Sequence, residues 1–391
     1  MKKTLAAVAV LGAFAGSAIA ADVTLYGVVD QGLKYTRYDA DTTAATTNKV
    51  ELKSGSQAGS RFGLKGMEEL GDGYKVGFIL ESGFNADDGS MGKSGTIFNR
   101  EASLSLYTPF GQLSAGKIGA ITQGTSSWGK MGYFSAFGTS YGDFVAQDGQ
   151  VTSTTGVWDN MIAYQTPSFA GVKVYAQYGM GTTASAVKTV SVDAHGVASE
   201  KYTSYTQVEN ESSTDRFYAI GATYDNGPAH LLFAVDSTNY ASWEAENTLK
   251  SKDTDDSLTV TLGGSWDFDV VRVYFGGQYF DEVKASSVGV LKAFGEGSNK
   301  IKGYGLTASV SAPVLGGTSY FGAGYVDASE ADSAKADVDY TAYLVSAGYK
   351  YDLSKRTNVY GVVSYAKAKV EDTDTTKPSA VTAMFGLRHN F

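Results

Sequence analysis

The side chains able to do covalent or metal chemistry are few and badly placed for it. Of three histidines, His195 falls in a long polar stretch, His389 lies at the carboxy-terminal end, and His230 sits beside the turn Asp225-Asn226-Gly227-Pro228. No Gly-x-Ser-x-Gly elbow and no His-Glu-x-x-His pair occurs. Gly92-Lys93-Ser94 has the ending of a phosphate-binding loop, but the earlier glycine that loop needs is Asp87, and no helical pattern follows. Acidic residues do cluster, as in Glu244, Glu246, Asp253, Asp255 and Asp256, in Asp327, Glu330, Asp332, Asp337 and Asp339, and in Glu371, Asp372 and Asp374. Their spacing matches no EF-hand, and they read first as a solvated surface. The other reading is that they bind divalent cations bridging to an anionic surface. The residues call for no enzyme, no cofactor and no resident metal.

The elements that must position these residues are exported. Lys2 and Lys3 precede an apolar run from Leu5 to Phe14, and Ala18-Ile19-Ala20 offers small residues for cleavage. This is the pattern of a secretory signal peptide over 1–20, with the mature chain expected from Ala21. No later stretch approaches the roughly 20 apolar residues that a spanning helix needs. Cysteine is absent, so stability must come from topology. Taking Lys2 and Lys3 from the 32 basic residues leaves 30 against 41 acidic, a net charge of −11. That balance disfavours nucleic acid as a partner.

From Ala21 onward short alternating stretches recur, joined by connections that are long, then short. The short ones carry Gly, Asp, Asn and Pro, at 69–73, 109–111, 167–171, 225–228, 267–269, 313–317 and 352–356. The long polar ones are 37–59, 85–99, 119–159, 180–214, 238–256, 284–301, 327–339 and 368–380. Seven short and eight long connections imply 16 strands, an even number that lets an antiparallel sheet close on itself. Leu258, Val260, Leu262, Trp266 and Phe268 share one strand face, opposite Thr259, Thr261, Ser265 and Asp267. In the next strand Val271, Val273, Phe275 and Tyr279 oppose Arg272 and Gln278. The last strand sets Val381, Ala383, Phe385, Leu387, His389 and Phe391 against Thr382, Met384, Gly386, Arg388 and Asn390. A β-sandwich would fill the second face with large apolar residues. Here that face is Thr, Ser, Gly, Lys and Arg, which suits the water-filled lumen of a membrane β-barrel.

Several segments, in order along the chain, resemble the general porins of Gram-negative bacteria, of the neisserial and β-proteobacterial type. They are Ser60-Arg61-Phe62-Gly63-Leu64-Lys65-Gly66 with Glu68 to Gly73, Asn99-Arg100-Glu101-Ala102, Phe110 to Lys117, Asp159-Asn160 with Tyr164 and Pro167, Leu353 to Tyr360, and Gly386 to Phe391. The resemblance implies an all-β, 16-stranded antiparallel transmembrane barrel over 21–391, a homotrimer in the outer membrane among lipid and lipopolysaccharide. It also implies that a third outer loop, 119–158, folds into the lumen as a constriction. Arg61, Lys65 and Lys117, with Arg100 as a fourth, become the cations of the pore wall. They face loop acids, here Asp143 and Asp148. The terminal Phe391 becomes the signal read by the barrel-assembly machinery. Strand parity puts Arg61 and Lys65 inward if Phe62 and Leu64 face out. Arg100 falls on the outward parity if Leu104 and Leu106 face lipid, unless a bulge intervenes; alternatively Ser103 and Ser105 face a neighbouring subunit. Related anion-preferring porins carry a further Arg just before the Asp-Asn pair. Here no Lys or Arg occurs between Lys130 and Lys173, which weakens the expectation of strong anion selectivity.

The expected function is passive diffusion of small hydrophilic solutes and ions. Two other readings stay open: a substrate-selective channel using the loop aromatics Trp128, Tyr133, Phe134, Phe137, Tyr141 and Phe144, and an adhesin or receptor on a plugged barrel. The same aromatics could simply hold the loop to the wall.

Overall fold

The computed structural model describes residues 23–391 apart from 44–45, 125, 140, 143, 193–197, 210–213, 241–243, 246–248, 251–254, 298, 332–337 and 373–374, with backbone alone for 182–208, 244–245 and 249–250. The signal peptide, His195, Asp143, Glu246, Asp253, Asp332, Asp337 and Asp374 lie outside the described residues.

Sixteen antiparallel wall strands close into a barrel. They are β1 (Thr24–Asp39), β2 (in two pieces, Thr47–Ser54 and Arg61–Gly71), β3 (Tyr74–Gly83), β4 (Glu101–Thr108), β5 (Gly111–Gly119), β6 (Val157–Gln165), β7 (Val172–Gly179) and β8 (Arg216–Asn226). The second half is β9 (Ala229–Asn239), β10 (Leu258–Asp267), β11 (Arg272–Lys284), β12 (Lys300–Val314), β13 (Gly317–Glu330), β14 (Asp339–Asp352), β15 (Thr357–Glu371) and β16 (Ser379–Asn390). The barrel closes where β1 pairs with β16, from Val28↔Asn390 to Asp39↔Ser379. Phe391 adds one more rung, exchanging backbone hydrogen bonds with Gly27 at 3.0 and 3.1 Å, so the terminal strand is pinned to its last residue.

Alternation sorts the side chains as expected. Leu262, Phe275, Phe321, Phe385 and Leu387 are exposed on the outside, while Thr261, Gln278, Ser309, Ser346 and Thr382 are buried within. Such an apolar exterior would be untenable in water and is what a bilayer covers. Outward tyrosines gather toward the long-loop end, with ring pairs Tyr304–Tyr325 and Tyr343–Tyr365, as an interfacial girdle does.

Two long connections differ from the sequence reading. The first, expected over 37–59, contains wall strand: Thr47–Ser54 pairs with β1, and its outward Val50 and Leu52 are 72% and 53% exposed. Lys49, Glu51 and Lys53 occupy the inward positions of this alternating segment, and their charge disguised it as loop. The step from Ser54 to Arg61 on β2 then answers the shorter step from Gln31 to Val28 on β1, so 55–60 bulges inward. Asp30 holds the bulge: its Oδ2 accepts from the Ala58 N–H at 2.6 Å and its Oδ1 from the Tyr360 hydroxyl at 2.6 Å. The connection 284–301 is not merely polar either. A helical turn, Gly289–Ala293, buries Val288, Val290, Leu291 and Phe294 inside the barrel mouth.

The long segment between β5 and β6 lies against the inner wall and takes part in all three clusters of the protein's dry core. Ile121, Trp128, Met131 and Phe134 pack on Ala219, Leu232 and Ala234. Phe137, Tyr141 and Val145 pack on Tyr360, Val362 and Met384. Phe144, Ala146 and Val151 join the Gly289–Ala293 turn over Ile301, Val326 and Leu344.

Candidate functional site

Between that internal segment and the wall of β1–β4 and β14–β16 lies a cavity of about 500 Å³. Its wall carries Arg61, Arg100, Lys350 and Arg388; the bulge supplies Gln57, Ala58 and Gly59; the internal segment closes it with Phe137, Gly138, Thr139 and Tyr141. Each cation is placed by a different local rule. Arg61 opens the second piece of β2, and inward parity carries it past outward Phe62. Lys350 and Arg388 alternate with exposed Tyr351 and Leu387. Arg100 precedes β4 rather than belonging to it, so strand parity does not bind it. Leu104 and Leu106 do face outward, Ser103 and Ser105 are buried inward, and Arg100 still enters the lumen.

The charges are organised by one carboxylate. Glu81 of β3 accepts from Arg100 Nε at 2.7 Å and from the Tyr26 hydroxyl at 3.0 Å, and lies 3.4 Å from Arg61 Nε. Arg61 Nη1 also donates to the Gly59 carbonyl at 3.0 Å, which ties the guanidinium to the bulge. Lys350 pairs with Asp352 at 3.1 Å. Four cations thus answer two contacting carboxylates among the described residues, although the chain as a whole is acidic. An arginine fork keeps its charge and presents fixed donors, so the cluster is a preorganised surface for anions.

The other expected site residues lie elsewhere. Lys65 is inward, with Nζ 5.3 Å from the centre of the Tyr26 ring, but two inward positions closer to the short turns than Arg61 and outside the cavity. Lys117 departs from the expectation of a pore cation. The register of β5 with β4 runs unbroken to Ala102↔Lys117, which leaves Lys117 on the parity of exposed Leu113 and Ala115 while Ser114 and Ile118 are buried. Its side chain is 13% exposed and paired with Asp159. The irregularity belongs to β6, where Asn160 takes a φ of +52° and shifts the register. Asp148 departs too. It is fully buried, neither carboxyl oxygen has a hydrogen-bond partner among the described residues, and burial pushes its carboxyl well above the usual carboxylate range. Its carboxyl is enclosed by packing and does not line the cavity.

Lys350 and Arg388 went unnoticed in the sequence because each is a single charge in an otherwise ordinary strand. Their inward parity was legible; their closeness to Arg61 was not. The loop aromatics resolve into packing. Trp128, Phe134, Phe137, Tyr141 and Phe144 are each 5% exposed or less, and no continuous ring surface faces the lumen among the described residues. Glu101 fixes the start of the segment by accepting from Ser127 N at 3.0 Å and Ser127 Oγ at 2.7 Å. Among the described residues no three His, Asp or Glu side chains converge as metal ligands.

A family profile described as Gram-negative porin matches residues 6–371. The chain is 33% identical to an outer membrane porin protein of Bordetella pertussis and 30% identical to outer membrane porin protein 32 of Delftia acidovorans, each alignment covering both chains completely. Among solved structures, an anion-selective porin from Comamonas acidovorans superposes with a TM-score of 0.64 at 24% identity, over 95% of this chain and all of that one.

Proposed function

Because the chain belongs to the Gram-negative porin family, and so forms an outer-membrane barrel rather than an enzyme, we propose that it is a general diffusion channel for small hydrophilic solutes with a preference for anions. The observation that carries this reading is the four-cation cluster of Arg61, Arg100, Lys350 and Arg388 around one open cavity, beside the internal segment that narrows the lumen. In such a passage selectivity follows from local wall charge, not from the net charge of the chain. Lys350 and Arg388, from the far side of the barrel closure, make up for the arginine missing before Asp159. The segment after Gly119 acts as the constriction, and Lys65 extends the cationic wall below it. Fewer acids oppose these cations than the sequence suggested, since Asp148 is buried. The channel works as a homotrimer among lipid and lipopolysaccharide, after cleavage near Ala20, and Phe391 serves as the assembly signal.

The test is single-channel conductance in a planar bilayer under a salt gradient, comparing the protein with Arg61→Ser. A large open conductance in three equal steps is expected, with a reversal potential that moves toward cations in the variant. Silence from correctly folded protein would overturn the channel reading, and an unmoved reversal potential would remove Arg61 from the constriction.

A further inference from the structure

The internal segment meets the wall through an unusual kind of contact. The Phe134 ring lies over Gly263 and Gly276, which are direct partners on β10 and β11; a methyl built on either would stand 2.7 and 2.9 Å from the ring. The Phe137 ring lies over Gly322 and Gly348 on the neighbouring strands β13 and β14, at 3.0 and 3.2 Å from such a methyl. Val151 covers Gly305 and Gly324 on β12 and β13. A methyl on Gly305 would fall on the Val151 carbonyl oxygen itself, and one on Gly324 would stand 2.9 Å from a Val151 methyl.

None of these six glycines has a backbone that demands glycine. All lie in regular inward strand positions, and none has a φ in the left-handed region. Glycine in a strand interior weakens the strand and often marks close approach by another backbone or ligand. Here the close approach is the chain's own internal segment. Wall side chains between the sockets take up its backbone donors: Ala136 N donates to Ser309 Oγ at 2.8 Å, Ala146 N to Ser346 Oγ at 2.8 Å, and Ser153 N to Gln278 Oε1 at 2.7 Å. Knobs in sockets and filled donors together fix the segment's distance from the wall.

We propose that these six wall glycines set the aperture of the channel: they are positioning residues for pore size, acting through the depth at which Phe134, Phe137 and Val151 seat. This rests on the reading of the segment as the constriction. A side chain in a socket pushes the segment away from the wall and into the lumen, so the pore narrows without any change to a lumen-lining residue. Gly305 is the strictest socket because a backbone carbonyl fills it and cannot rotate away.

The test measures single-channel conductance and the size cut-off for neutral sugars in vesicles, for the full protein and for Gly305→Ala, Gly276→Ala and Gly361→Ala. Gly361 is the control, because a methyl there meets only an ordinary contact at 3.8 Å. Conductance and cut-off should fall in Gly305→Ala and Gly276→Ala and stay unchanged in Gly361→Ala. Shortening the knob should restore them, so Gly276→Ala combined with Phe134→Leu should recover conductance, which general barrel damage would not allow. Folded Gly305→Ala or Gly276→Ala with unaltered conductance and cut-off would overturn the proposal. So would a loss that Phe134→Leu fails to reverse. No conductance from the unsubstituted protein would instead refute the channel reading beneath it.

Discussion

Two arcs of the same inner wall obey the same alternation and end in opposite states. On β1–β4 and at Lys350 and Arg388 of β14 and β16 the inward positions hold Asp30, Arg61, Glu81 and the two cations, and the face opens on a cavity, although the internal segment also packs on Gly348, Val362 and Met384 of β14–β16. On β8–β13 the inward positions hold Ala219, Leu232, Ala234, Gly263, Gly276 and Gly305, and the internal segment covers them. Inward parity therefore states only that a side chain avoids lipid. Whether it then meets water or a dry packed surface depends on where one long segment lies. Most charge lies where the segment stands off and small residues lie where it docks, because a buried unpaired charge is costly and a well-filled socket is not. The exception, Asp236 on β9, is buried and accepts from Thr122 Oγ1 of the segment at 2.8 Å.

The sharpest way to break this comparison is to empty the dry arc. Phe134→Ala removes a ring that is fully buried, and such truncations cost about 3–5 kcal/mol. The expected result is protease clipping between 120 and 156 and a lower denaturation midpoint. An uncut, equally stable variant would mean the segment is not held by its sockets. Next comes pH on the same arc. The Asp148 carboxyl binds its proton more tightly folded than unfolded, where its ordinary value is 3.8. Docking is then strongest at acid pH and weakens as pH rises above that value toward the folded one, since the unfolded chain holds fewer protons there. Protease protection of the segment should fall with rising pH in the native protein and stay flatter in Asp148→Asn. Equal slopes would place the titration elsewhere.

The wet arc should respond through selectivity rather than stability. Glu81→Gln deletes the carboxylate between Arg61 and Arg100 while keeping an acceptor for Tyr26. A unit charge acting on an ion about 7 Å away in water is worth roughly 0.6 kcal/mol, close to a threefold change in anion-to-cation permeability. Reversal potentials should shift toward anions, and a shift toward cations would contradict the assignment of the cluster. The smallest effect belongs to Lys117→Ser. Its pair with Asp159 lies outside the cavity, on the parity of exposed Leu113 and Ala115. The reversal potential should not move. A change as large as that of Arg61→Ser would show that Lys117 feels the pore.

Much of the barrel was legible because β patterning is local. The seven short turns fall where the sequence places them, five of them carrying Asn-Gly, Asp-Gly or Pro, and the outward set from Val381 to Phe391 is the one seen. The exception is instructive: Lys49, Glu51 and Lys53 disguised a wall strand, because charge is permitted on the inward face of a pore and reads as loop anywhere else. The run Val288 to Phe294 was likewise an apolar signal lying in what looked like a polar connection.

By itself the sequence determined the strand number and the facing of the strands whose alternation is clean, such as Leu258 to Phe268 and Val381 to Phe391. These follow from period, turn chemistry and residue type, which act over a few residues. Only the tertiary structure decided that Arg100 lines the cavity, that Lys117 and Asp148 do not, and that Lys350 and Arg388 join Arg61 there. Those outcomes depend on barrel closure and on the seating of one segment against distant strands, and no local pattern encodes a contact between residues some three hundred positions apart, such as that of Asp30 with Tyr360.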